Sequence, residues 1–117
     1  MDTLYRIRDI RSSLQLLERD FERGHGVSFN EAMILCGLRR NERMSSGGIG
    51  ELIGQTRSNA SKIIASVERK GLVERAIGDD DKRRMYFVLT ARGRKLIDAV
   101  GEADEELEER LREALEK

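Results

Sequence analysis

The chain has 117 residues, with apolar and charged residues each at 38% and a formal net charge of zero. A domain of that length buries roughly two-thirds of its unfolded surface, so it needs no disulfide or metal to fold. The lone cysteine excludes an internal disulfide and fits a reducing compartment. One histidine, one cysteine and no clustered acid–base pair offer no constellation for nucleophilic or metal chemistry, so neither an enzyme nor a cofactor is expected. Asp2, Arg6, Arg8, Asp9 and Arg11 interrupt the N-terminus, leaving no signal-type or membrane-spanning run, and a cytoplasmic location is expected.

The zero net charge conceals a division. Residues 39–95 hold fourteen Lys and Arg against seven Asp and Glu, a balance of +7. Residues 96–117 hold three against nine, and residues 1–38 carry −1. A basic middle and an acidic tail suggest a polar molecule with one phosphate-facing side.

In chain order, Asp2 to Arg23 reads as a helix, with Ile7, Ile10, Leu14, Leu17 and Phe21 at spacings of three and four. That seam suits either the chain's own core or a partner subunit. Gly24-His25-Gly26 is expected to break the helix, with His25 a polar loop residue rather than a ligand. Ser28 with Glu31 three residues on forms a capping box, and the helix it opens runs to about Arg39. Cys36 lies among Ala32, Met33 and Leu35, which predicts a buried, inert thiol rather than a redox sensor. Arg39 to Met44 is a charged connector. Ser45-Ser46-Gly47-Gly48 reads as a loop that can carry a short first strand of a sheet, and Ser46 as the cap of a helix from Gly48 to about Gly54. That glycine-rich helix has GxGxxxG spacing and no preceding strand, so it is not a dinucleotide loop.

Thr56 is a good N-cap for the next helix, about 57–70. Ala60, Ile63, Ile64 and Val67 make its buried stripe. Ser58, Lys62, Ala65 and Arg69 fall opposite, with Asn59, Ser61 and Ser66 on the flanks. That small, polar, cation-studded face is what a helix needs to approach base edges in a DNA major groove, but it also suits a plain solvated surface. Gly71 ends the helix in the left-handed conformation. Leu72–Ile77 and Arg84–Leu89 read as strands around a turn-rich tip, Gly78-Asp79-Asp80-Asp81-Lys82-Arg83. Thr90 caps a last helix that runs to about Glu116, roughly 40 Å at the usual rise. Leu96, Val100, Ala103, Leu107, Leu111 and Ala114 form its apolar stripe, the opposite face is nearly all acid, and Gly101 is a candidate bend. A stripe this long exceeds what a small core covers and needs a partner.

The run GLVER from Gly71, followed by DDDKRRMYFVLTARGRKLI from Asp79, resembles the MarR family of winged helix-turn-helix regulators. The likeness spans roughly Val27 to Val100, and its most specific parts are Asp81-Lys82-Arg83 and Leu89-Thr90 with Gly93. It implies a mainly α fold with a small antiparallel β-hairpin (α+β), a winged helix-turn-helix with N- and C-terminal dimerisation helices. The organisation implied is a dimerisation helix over 1–24, a DNA-binding core over 27–95 and a second dimerisation helix over 90–117. The function implied is a homodimeric, sequence-specific regulator of transcription that binds double-stranded DNA at a pseudo-palindromic operator. The helix near 57–70 would enter the major groove and the wing 78–84 the minor groove. Ser58, Asn59, Ser61 and Lys62 are the candidates for base edges or nearby phosphates, Arg57, Arg69 and Lys82 for phosphates, and Arg83 for the minor groove. Asp81 would brace the wing through a neighbouring cation. A small-molecule effector is a further implication that no residue identifies. The sequence departs from the family at Arg57, where proline is common, at Gly78, where aspartate is common, and in reading one C-terminal helix short. PadR-like regulators, with one long C-terminal helix, are a neighbouring alternative. A winged helix used for protein interaction, without DNA, is the rival reading of the neutral charge and acidic tail.

Overall fold

The computed structural model describes residues 1–79 and 83–116. The elements are α1 (Asp2–His25), α2 (Phe29–Arg40), α3 (Ser46–Ile53), α4 (Arg57–Arg69), β1 (Val73–Ile77), β2 (Met85–Leu89), α5 (Ala91–Glu102) and α6 (Asp104–Leu115). They gather into two compact units, one of Met1–Phe29 with Ala99–Lys117 and one of Asn30–Asp98.

In the first unit α1 and α6 pack together, with Leu17, Phe21 and Ala114 buried. Helix α1 does not break at Gly24. It continues to His25 and ends at Gly26, whose left-handed φ of 79° lets its N–H donate to the Glu22 carbonyl at 2.7 Å. His25 is therefore the last helical residue and not a loop residue. Its ring lies 4.7 Å from that of Phe21, which also meets Phe29 at 5.0 Å. Glu18 accepts from the backbone N–H of Phe29 at 3.1 Å, one of the orphan donors at the start of α2. Arg110 on α6 donates to Asp20 on α1 at 2.9 Å. Toward the N-terminus the apolar seam of α1 loses its cover, with Leu14 and Ile10 half-buried and Ile7 exposed, and Leu4 and Leu16 beside the seam are also exposed. Leu111 and Leu115 on α6 are exposed as well.

The single long C-terminal helix is corrected. The α-helix is interrupted at Ala103 (φ −95°, ψ 10°), whose N–H is shared between the carbonyls of Ala99 and Val100. The interruption falls two residues after Gly101, and the acidic first turn of α6, Asp104-Glu105-Glu106, suits a helix N-terminus.

The second unit is built on Ile34, Leu35, Leu38, Ile49, Val67 and Leu72, all essentially inaccessible. Cys36 and Met33 are exposed, which overturns the buried thiol. Both stand on the outer edge of a helix whose inner face is already filled by Ala32, Ile34, Leu35, Gly37 and Leu38. A Cβ at Gly37 would stand 3.1 Å from the Met44 sulfur and press on the end of the exposed Leu52 side chain, which would have to shift. The cap of α3 is Ser45, one residue before the expected Ser46, and its hydroxyl accepts from the Gly48 N–H at 3.1 Å. Ile49 and Ile53 are buried, while Leu52 is exposed.

Strands β1 and β2 pair antiparallel in the register Val73 with Leu89 to Ile77 with Met85. A third chain segment joins them at one point. Met44 and Phe87 exchange both backbone hydrogen bonds, at 3.2 and 2.8 Å, so the expected short first strand is a single bridge at Met44. Thr90 caps α5, its hydroxyl accepting from the Gly93 N–H at 3.0 Å and donating to the Gly71 carbonyl at 2.7 Å. Among the described residues no helix is long and apolar enough to cross a membrane.

Candidate nucleic-acid interface

Helix α4 starts at Thr56, whose hydroxyl accepts from the Asn59 N–H at 3.2 Å. Its buried stripe is Ala60, Ile64 and Val67, with Ile63 half-buried. At 100° per residue the side opposite this stripe carries Ser58, Lys62 and Arg69, with Asn59 and Ser61 on its flanks, while Arg57 in the first turn falls in line with Ile64; all six are exposed. Among the described residues their side chains have no protein hydrogen-bond partner apart from the Asn59 amide, 3.5 Å from Gln55 Oε1. The face is continuous, and its small residues at the N-terminal end let a flat partner come close.

Two further expectations for this helix change. Ala65 is half-buried, and Ser66 turns toward the protein rather than flanking the open face. Ser66 donates to Glu31 Oε2 at 2.6 Å, and Lys70, one turn later, donates to Glu31 Oε1 at 2.9 Å. Glu31 on α2 is 4% exposed, the one charged side chain in the core of the described residues. Its position at the head of the apolar run from Ala32 to Leu38 was the available signal, but a capping box accounted for it locally. Helix α3 meets α4 where Gly50 faces Ala60, a Cβ at Gly50 falling 3.6 Å from that of Ala60, so two small side chains let the helices cross closely. At the far end of α4 the Arg75 guanidinium forks onto Glu68, at 3.0 and 3.1 Å, tying the helix to strand β1. That hydrogen bond and the charge of Glu68 hold the Arg75 pKa above its ordinary value.

The hairpin stands beside the helix. Gly78 donates to the Arg84 carbonyl at 2.9 Å, closing the base of the tip, and Arg83 is exposed. Arg43 lies over the Tyr86 ring at 4.1 Å, on the connector that carries the Met44 bridge. Lys82, Asp80 and the expected Asp81 brace lie outside the described residues.

The two units differ in charge by composition. Asn30–Asp98 holds fourteen Lys and Arg against nine Asp and Glu, +5, and the other unit is −5. Not all of the cations are available to a ligand. Arg39 pairs with Asp98 at 3.1 Å, Lys70 with Glu31 and Arg75 with Glu68. Arg57, Lys62 and Arg69 form no ion pair among the described residues, so the unneutralised charge of α4 sits on its exposed side. No group of three or more His, Cys, Asp or Glu among the described residues is placed to hold a metal ion.

A helix-turn-helix of α3 and α4, followed by a β-hairpin and a capping helix, defines a winged helix-turn-helix protein. The profile of the MarR family matches residues 25–84, and the chain belongs to that family, which decides between the MarR and PadR alternatives. The chain is 28% identical over 66 residues to the transcriptional repressor MprA of Escherichia coli K12, a match covering 56% of this chain and 38% of that protein. It thus spans well under half the length of the repressor it matches. A crystallised MarR family transcription regulator is 31% identical, with a TM-score of 0.72 over 92% of this chain and 73% of its own. The Staphylococcus aureus MepR–DNA complex superposes with a TM-score of 0.69 at 23% identity, over 89% of this chain and 86% of its own.

Proposed function

We propose that this protein is a homodimeric, sequence-specific DNA-binding regulator of transcription. The observation that carries the reading is the exposed face of α4 made by Ser58, Lys62 and Arg69 with Asn59 and Ser61 on its flanks, joined by exposed Arg57 in the first turn. Its apolar stripe and its cap anchor the helix, so this side is free to meet a groove. The fold is that of a protein solved in complex with DNA, and a relative is a repressor, which supports the same assignment.

In this reading Ser58, Asn59, Ser61 and Lys62 meet base edges or adjoining phosphates, since hydroxyls, amides and ammonium groups bond both. Arg57, Arg69 and Lys82 meet phosphates, and Arg83 enters the minor groove, where a narrow electronegative channel favours guanidinium. Residues 27–95 form the DNA-binding core. The stretches 1–24 and 90–117 pair two copies, because Leu4, Ile7, Leu16, Leu111 and Leu115 are too large an apolar exposure for an unpartnered helical surface. Two copies place two α4 helices in successive major grooves of a pseudo-palindrome, roughly 34–36 Å apart. A small molecule that alters that spacing would release DNA, and a protein with these partners works in the cytoplasm.

A salt titration of binding to duplex DNA tests the proposal. Three phosphate-directed cations per subunit give a dimer a slope of about −5 in log Kobs against log salt. Absence of affinity at low salt, or affinity indifferent to salt, refutes DNA binding and favours a protein-interaction module.

A further inference from the structure

We infer that Glu31 is a positioning residue for sequence discrimination: its buried carboxylate sets the rotation and axial position of α4, and so decides which of the exposed side chains of α4 meet the bases. The inference rests on the DNA-binding reading.

The apolar stripe of α4, Ala60, Ile64 and Val67, holds the helix by non-directional contact. Such a contact sets the side that is buried more firmly than it sets the angle. Each residue of a helix advances about 100° and 1.5 Å, so a turn of a third of a residue already swings Asn59 and Lys62 by about 30°. Groove readout depends on hydrogen bonds that weaken steeply with misdirection. A directional restraint on α4 therefore has something to protect.

Glu31 provides it. Ser66 and Lys70 are four residues apart, on one side of α4 and one turn apart along it. One carboxylate receives both, each on its own oxygen, at 2.6 and 2.9 Å. Two bonds separated along the axis resist rotation and sliding together, as a single bond would not. The anchor itself is stiff, because Glu31 is buried on a helix packed through Ala32, Ile34, Leu35 and Leu38. Stability alone is a weak reason to bury Glu31 opposite a lysine that is itself 36% exposed, since apolar residues commonly replace buried ionic groups at no loss, whereas directionality is what apolar residues lack. Two other contacts of α4 among the described residues are of different kinds. Gly50 against Ala60 is a close but featureless contact, and Glu68–Arg75 lies on the exposed surface at the hairpin.

The test compares the full-length parent with Glu31→Gln and Ser66→Ala, neither of which removes a DNA-facing group. A duplex selected from a random library by the parent serves as the specific site, and scrambled duplex as the non-specific one. The expected result is that each variant loses about tenfold of the ratio of specific to scrambled affinity, with scrambled binding and its salt slope at parental values. The double variant should lose little more than either single one, because both remove the same restraint. If the variants melt earlier but keep the parental ratio when fully folded, Glu31 is structural only and the inference fails alone. If the parent shows no salt-dependent affinity for duplex, the regulator reading fails and takes this inference with it.

Discussion

Replacing Gly93 by alanine pits two effects of opposite sign. Gly93 is a helical residue, and alanine gains about 1 kcal/mol over glycine in a helix interior. The packing opposes it. A Cβ at Gly93 would run into the carbonyl oxygen of Leu72 and lie 3.1 Å from Leu89 Cδ2. The first neighbour is backbone, and relief requires α5 and the start of β1 to part by more than about 1 Å, given ordinary C···O contact distances. That movement pulls on the Thr90 N–H bond to Leu72 at 3.1 Å and the Thr90 hydroxyl bond to Gly71 at 2.7 Å. Each contributes roughly 1 kcal/mol net, and overpacking adds roughly 1–3 kcal/mol. After the helical gain, a loss of about 2–4 kcal/mol remains, which lowers the melting temperature of a chain this size by about 10 °C or more. Circular dichroism melts at one fixed protein concentration measure it, because melting of an oligomer depends on concentration. A variant melting within about 2 °C of the parent, or above it, would show that helix propensity wins. The close approach of α5 to Leu72 would then be wrong.

Three further outcomes are expected. Thr56→Ala removes the hydroxyl that accepts from the Asn59 N–H, and should cost about 1 kcal/mol in urea denaturation while Ser58→Ala costs almost nothing; equal effects would remove Thr56 as the cap. Arg69→Ala should make the salt slope of a dimer shallower by about 2, one phosphate per subunit, and an unchanged slope places Arg69 off the backbone. Arg83→Ala should weaken duplex binding while sedimentation shows the same oligomer, and parental affinity in that variant rules out the minor-groove role.

The features legible in the sequence were those whose chemistry is local. Thr56 and Thr90 cap their helices because a hydroxyl there reaches an amide three residues on. Gly71 takes φ +74° after α4, as a helix-ending glycine should. The strands showed themselves by β-branched and aromatic residues either side of a turn-rich tip. What misled was the competition of equal local options. Ser45 and Ser46 are both good caps, and only the backbone path selects the first. Gly24 and Gly26 are both helix enders by residue type, but α1 runs through Gly24, and of the two Gly26 alone adopts the left-handed conformation. Cys36 has apolar neighbours in sequence, and 100° per residue still carries it to the outer edge of α2. Glu31 could not be assigned, since its partners lie 35 and 39 residues away and a nearer explanation was at hand. The exposed face of α4 was legible as polar, but which of its cations are neutralised depended on Glu31, Glu68 and Asp98, all decided by tertiary structure.

The bridge between Met44 and Phe87 separates two properties of the wing that a lone hairpin would confound. An isolated two-stranded ribbon is marginal in water, and a slip of one residue exchanges its faces. Here the alignment is pinned from outside, by a residue that precedes the helix-turn-helix and takes two hydrogen bonds at the middle of β2. Phe87 stays buried, and Met85 and Val88 keep their sides, whatever occupies the stretch between Gly78 and Arg84. The register of the two strands is thus held by a peptide unit outside the hairpin, bonded directly to the middle of β2.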